Sequence, residues 1–155
     1  MRTDKIRGND FHFADWPFYW LTRTGDRYTH HLERALKRIG LDVPRWRVLM
    51  QLSKGEHVAV SSIAKHALVK LPTMTKIISR MQNNGLVSCR ISPMDARVTE
   101  VRITQSGLVA RESAWAEAQR VGHAAMVGLS AAKLDVLHRT LDRMFENLAS
   151  NREHR

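Results

Sequence analysis

The amino-acid sequence predicts a mostly α, α+β fold in which a single hairpin interrupts a run of amphipathic helices. Three observations carry that expectation. Apolar residues recur at three- and four-residue steps through most of the chain. One stretch, Ser88 to Thr104 ("SCRISPMDARVTEVRIT"), alternates with a period of two, breaks at Ser92-Pro93 and resumes as a second strand. The four prolines, at 17, 44, 72 and 93, fall close to expected element boundaries, and no repeat or Gly/Ser/Pro-rich linker divides the chain. Its 155 residues therefore suit one domain with a real core.

The first helix is expected near Asp15, with Pro17 tolerated in its opening turn. Leu21, Tyr28, Leu32, Ala35 and Ile39 make one stripe, and Gly40 suits the left-handed helix end. A second helix starts with Pro44 and turns Trp46, Leu49, Met50 and Leu52 inward. "KGEHVAV" reads as a turn and a short strand, after which Ser61 or Ser62 can cap a short third helix, "SIAKHAL". The fourth, "LPTMTKIISRMQNN", sets Leu71, Met74, Ile78 and Met81 on one face and ends at Gly85. Beyond the hairpin, Thr104 caps a long helix from Gln105 to about Val127. Ser130 opens the last helix, where Leu134, Leu137, Leu141, Met144 and Leu148 step by three and four in alternation, the spacing of a heptad seam. Such a stripe can pack within one subunit. Because the first and last helices both carry one, a shared helical dimerisation layer is the preferred reading.

Two short helices joined by a tight turn and followed by a hairpin describe a winged helix-turn-helix lobe. The expected layout is a lobe over 44–104 flanked by dimerisation helices over 15–40 and 105–149. The charge fits a polyanionic partner: 25 Lys and Arg against 15 Asp and Glu give +10. A major groove admits one α-helix, and such a helix must expose polar donors while its other side stays anchored. In "LPTMTKIISRM", Thr73, Thr75, Lys76, Ser79 and Arg80 lie off the apolar stripe, where hydroxyls and cations can meet phosphates or base edges. At the hairpin tip, Arg97 can enter a narrow minor groove, with Asp95 fixing its direction through a charge-assisted bond. Taken alone, that pair is only a surface ion pair worth about 0–1 kcal/mol.

It does not stand alone. The order "SSIAKHALVKLPTMTKIISRMQNNGLVSCRISPMDARVTEVRITQSG" resembles the MarR/SlyA family of bacterial transcriptional regulators. The residues that carry the likeness are Ile63-Ala64, Thr73 to Lys76, Gly85-Leu86-Val87, Asp95-x-Arg97 and Ile103-Thr104 followed by Gly107, without a gap; "PRWRVLMQLS" is similar to the family's second helix. The resemblance implies a homodimer that binds double-stranded DNA at a palindromic operator, usually as a repressor released by a small ligand. It implies a reading helix over Pro72 to Asn83 with Thr73, Thr75, Lys76 and Arg80 as contacts, and Arg97 as the wing arginine. The full set of candidate DNA contacts is Ser61, Ser62, Pro72, Thr73, Thr75, Lys76, Ser79, Arg80, Arg90, Asp95 and Arg97. Three departures stand out. Lys70-Leu71-Pro72 replaces a frequent serine cap, Ala96 replaces a frequent wing arginine, and Cys89 sits where another basic residue is common. The wing is less basic than usual, so Arg90, Arg97 and Arg102 must carry more.

The N-terminal "FHFADWPFYW" puts six aromatic side chains (Phe11, Phe13, Trp16, Phe18, Tyr19, Trp20) into ten residues. They either pack across a partner subunit or line an effector pocket. For the pocket the candidates are Trp16, Tyr19 and Trp46, with Arg23 or Arg45 to pair a carboxylate. Ligands of the resembling family are often aromatic acids or their thioesters, which makes an aromatic carboxylate the expected effector. Cys89, on the first wing strand, reads as structural. The histidines include no His-x-x-x-His pair or Cys/His cluster, so neither a metal nor a cofactor is expected.

Other classes fare worse. No nucleophile–base arrangement, phosphate loop or paired acidic motif marks an enzyme. No signal-peptide pattern, no apolar run of membrane-spanning length and no strongly basic amphipathic helix points to a membrane, and a single cysteine suits the cytoplasm. The alternative within DNA binding is an architectural protein without effector, which would show weak sequence preference.

Overall fold

The computed structural model describes residues 12–150. They fall into two compact units, one running through Gly122 and one from His123. In the first, a single 3-10 turn, Phe13–Asp15, precedes α1 (Pro17–Lys37), α2 (Val43–Gln51), β1 (Val58–Ala59), α3 (Val60–His66), α4 (Leu71–Asn83), β2 (Val87–Ile91), β3 (Thr99–Ile103) and α5 (Gln105–Ala125), whose last residues pass into the second. The second unit consists otherwise of α6 (Ala131–Ser150). Among the described residues no helix is long and apolar enough to cross a membrane.

The mostly helical winged helix-turn-helix expectation holds. The three strands form one antiparallel sheet in the order β1-β3-β2, with Val101 facing Val58 on one side and Cys89 on the other. Leu32 and Leu36 of α1, Leu49 of α2, Ile63 of α3, and Met74 and Met81 of α4 are fully buried against Val87 and Val101 of the hairpin. Each such side chain contributes about 1.5–3 kcal/mol relative to exposure. α4 is thus anchored by one face.

Several boundaries move. Asp15 ends the 3-10 turn, and α1 begins at Pro17, whose absent N–H costs nothing at a first helical position. Gly40 ends the helix at φ +73, with Gly40 N–H on Lys37 O and Leu41 N–H on Leu36 O, a Schellman closure. Pro44 is the second residue of α2, not the first, because the Asp42 carboxylate caps Arg45 N–H at 2.8 Å. Ser61 and Ser62 cap nothing. Burial of Val60 draws the start of α3 back to that residue, which places both serines inside the first turn. Leu71 is no core residue; it opens α4 and is 49% exposed. The core of α2 includes Val43 and Val48, which the inward face read from the sequence omitted.

Thr104 joins the lobe to α5. Its hydroxyl donates to Gly85 O at 2.6 Å and accepts Gly107 N–H at 3.0 Å. A Cβ at the buried Gly107 would overlap the Leu86 carbonyl oxygen, so only glycine permits this approach. At the other end α5 stops at Ala125, two residues short of the expected limit. Ser130 does cap α6, accepting Lys133 N–H at 3.4 Å. No residue of α6 is buried, and its seam leaves Leu137, Leu141 and Leu148 exposed.

Candidate nucleic-acid interface

The turn between α3 and α4 closes without glycine. Leu68 adopts φ 55 while Leu68 N–H bonds Lys65 O and Val69 N–H bonds Ala64 O. Lys70 then enters α4 in extended conformation and supplies no side-chain cap. The first turn of α4 therefore presents backbone N–H groups without a serine among them, as the Lys70-Leu71-Pro72 departure implies. Pro72 lies at its second position. Met74, Ile78 and Met81 point into the core, while Thr73, Thr75, Lys76, Ser79 and Arg80 are exposed. Thr75 Oγ1 donates to Leu71 O at 3.0 Å, which spends its one proton and leaves its lone pairs outward. Neither Lys76 nor Arg80 takes part in any of the ion pairs formed among the described residues.

The wing is organised by acids. Arg90 faces Glu100 across the β2–β3 register, and its Nε donates to Glu100 Oε2 at 2.8 Å. Ser92 Oγ donates to Glu100 Oε1 at 2.8 Å. Those two bonds, Ser92 first, hold the Glu100 carboxyl below the usual carboxylate range. Much of the Arg90 charge is therefore answered within the wing, whereas Arg97 stands 93% exposed at its tip. Asp95 and Arg97 flank the tip together. Cys89 is half-buried on β2, and burial pushes its thiol pKa up, which disfavours the thiolate.

α3, α4 and the wing enclose a groove of about 380 Å³. Among its lining are Ser61, Thr75, Ser79 and Arg97 from the predicted set, so the fold brings α4 and the wing tip to one concavity. Gln82 and Thr99 also line it and were not singled out from the sequence. Gln82 follows Thr75 at seven residues on α4, the one signal that could have found it. Ser92 and Glu100, the groups that position Arg90, need the strand register to be seen.

The effector candidates are placed less coherently. Trp16 lies against Phe18, ring centroids 5.6 Å apart. Tyr19 sits edge-on to Phe13 at 5.2 Å and to Trp20 at 5.0 Å, with the Arg23 guanidinium 5.2 Å over its ring. Arg45 is paired with Asp42 at 3.1 Å. Trp46 packs half-buried against the core, and its indole N–H is buried with no acceptor among the described residues. Phe11 lies outside the described residues.

A family profile described as MarR family matches residues 41–99, the span from α2 through the wing tip. Over 140 residues the chain is 45% identical to the HTH-type transcriptional repressor IacR of Pseudomonas putida, covering 90% of this chain and 84% of that one. The chain belongs to the MarR family. Two solved structures share the MarR-family fold seen here. Bordetella bronchiseptica BpsR, whose DNA binding is regulated by 6-hydroxynicotinic acid, has a TM-score of 0.77 at 20% identity, covering 86% of this chain and 96% of that one. CouR from Rhodococcus jostii RHA1, bound to p-coumaroyl-CoA, has a TM-score of 0.78 at 19% identity, covering 86% and 94%. Across this MarR-family chain, the profile match contains every candidate DNA contact, from Ser61 to Arg97.

Proposed function

We propose that this protein is a homodimeric transcriptional repressor that binds a palindromic operator and is released by a small aromatic acid or its thioester. One observation carries the DNA-binding part. α4 is fixed to the core through Met74, Ile78 and Met81 while Lys76 and Arg80, in no ion pair among the described residues, face outward beside a wing whose Arg97 is exposed at the tip. The cationic face is available to phosphates and the rigid face sets its register. The 15–40 and 105–149 helices act as the dimerisation layer; the exposed Leu137, Leu141, Phe145 and Leu148 of α6 need an apolar partner in water, and a second copy supplies the matching seam.

The ligand part is supported by two things. BpsR and CouR are tied to an aromatic acid and to an aromatic acyl thioester. In this chain the Trp46 indole N–H is a buried donor without acceptor among the described residues, a state that costs about 1–3 kcal/mol and that a carboxylate oxygen would relieve. Trp16, Tyr19, Arg23 and Arg45 complete the candidate lining.

Duplex selection with competitor DNA tests the first part. Recovery of a favoured palindrome with half-sites about 10–10.5 base pairs apart, or a multiple, is expected; equal affinity for all sequences would instead describe an architectural protein. A thermal-shift screen of aromatic acids and thioesters tests the second. Ligands that raise the melting temperature by mass action should also release the operator.

A further inference from the structure

A second cationic concavity lies away from the reading helix. A cleft of about 150 Å³ between the second half of α1 and the end of α5 is lined by His31, Arg34, Ala35, Arg38, Arg120 and Val121. No carboxylate among the described residues lines it. His31 and Arg34 of α1 and Arg38, which follows its last residue in helical conformation, are spaced by three and four residues, so they share a face and repel when charged. Neither Arg34 nor Arg38 takes part in an ion pair or a side-chain hydrogen bond among the described residues. Arg120 directs Nε and one terminal nitrogen to Glu117 Oε2, at 3.2 and 2.6 Å, which leaves its other terminal nitrogen unspent.

A chain of charge +10 has many unpaired cations. What sets these apart is placement: three arginines and a histidine from two neighbouring segments line one small hollow. We propose that this cleft is a binding site for a compact oxyanion of the phosphate class, either free phosphate or a phosphate monoester group of a larger ligand. Guanidinium forks match tetrahedral oxyanions through paired N–H donors. The volume is well below the roughly 300–1,000 Å³ typical of drug-sized ligands, and no Phe, Tyr or Trp among the described residues lines it, so it does not suit the aromatic effector proposed above. An anion there would relieve the repulsion along α1 and tie that helix to α5.

Calorimetric titration of the full-length protein with inorganic phosphate at constant ionic strength tests this. Saturable uptake of one phosphate per chain is expected, weakened about tenfold or more in R34Q/R38Q, since two charge-assisted bonds on an exposed face are together worth at least that factor. The same uptake should persist in K76A/R80A, which removes the reading-helix cations. Absence of saturable uptake overturns the proposal. So does weakening in K76A/R80A with none in R34Q/R38Q, which would put the phosphate on the DNA face. Should the double variant fold poorly, Arg120→Gln alone is expected to weaken uptake several-fold. Phenyl phosphate separates the two sources: tighter uptake than inorganic phosphate assigns the site to an ester, and equal uptake assigns it to the free ion.

Discussion

Asp95 holds Arg97 by its backbone. The Asp95 Oδ1 accepts Arg97 N–H at 2.9 Å, while the Arg97 Nε stands 3.6 Å from the same oxygen. Val98 N–H on Asp95 O and Ser92 N–H on Val98 O then close the tip. The sequence suggested a carboxylate that aims a guanidinium. The shorter bond shows a carboxylate that shapes the turn and leaves the guanidinium in water. The charged pair at this tip therefore serves two separate ends: an Asx turn that fixes where the chain bends, and a cation projected from the bend.

Those two ends can be separated. Asp95→Asn keeps an acceptor for the turn and drops the charge, so operator affinity should stay within roughly 0.5 kcal/mol of the original. Asp95→Ala removes the acceptor and should weaken binding by about 1 kcal/mol. Fluorescence anisotropy at fixed salt compares them. An Asn variant as weak as the Ala variant would restore the ion pair as the functional feature.

Arg97→Ala should lower operator affinity by about 1–3 kcal/mol if the tip reads a groove. Lys76→Ala, on α4, should reduce the slope of log affinity against log salt by about 1, because one phosphate fewer is neutralised. Gel-shift titrations over a salt series read both. An unchanged slope would remove Lys76 from the phosphate contacts.

Much of the helix-turn-helix and the wing was legible in the sequence because their determinants are local. The three- and four-residue stripe of α4 and the alternation of the hairpin are periodic signals, and Gly40 and Gly85 mark helix ends with the left-handed conformations they adopt. What was missed depends on partners distant in sequence. Ser61 and Ser62 read as caps, but burial of Val60 decides where α3 starts. Leu71 reads as core, but the helix meets the lobe one turn later at Met74. The Arg90–Glu100 pair follows only from strand register. The aromatic segment around Trp16 and Tyr19 has no periodicity that tells a pocket wall from a subunit contact, so composition alone could not sort it.

The Glu100 carboxyl should titrate below the ordinary carboxylate range, held there by Ser92 and Arg90. The sign follows from linkage. A folded-state pKa below the unfolded one gives a stabilising contribution that is fully present above the unfolded value and is lost as pH falls through the folded one. Carboxyl-detected NMR titration should place the midpoint low in the native protein and higher in Ser92→Ala. No movement in that variant would assign the shift to Arg90 alone.

On α6 no residue is buried, so Leu141→Glu disturbs no fully buried core position of the folded chain. If the seam binds a second copy, an unpaired carboxylate at its centre should weaken the dimer by about 3 kcal/mol or more, a hundredfold in dissociation constant. Sedimentation velocity over a dilution series reads this, and circular dichroism should report unchanged helix content. A variant that stays dimeric would move the interface elsewhere.

Leu68 supplies the last test. It occupies φ 55 at the helix-turn-helix corner, where glycine is the usual residue, and its side chain is 89% exposed. A Cβ in that conformation costs about 1–2 kcal/mol, and the exposed leucyl group returns little burial within one chain. Leu68→Gly relieves the strain, while the extra freedom glycine gives the unfolded chain offsets roughly 0.4–1 kcal/mol of the gain. The net expectation is a chain more stable by about 0.5–1 kcal/mol in urea unfolding. The closing bonds at Lys65 and Ala64 stay in place, so operator affinity should not change. A glycine variant that loses operator affinity, or is less stable, would mean that the leucine side chain meets something beyond its own chain at that corner. The strain would then be retained for contact, not tolerated by default.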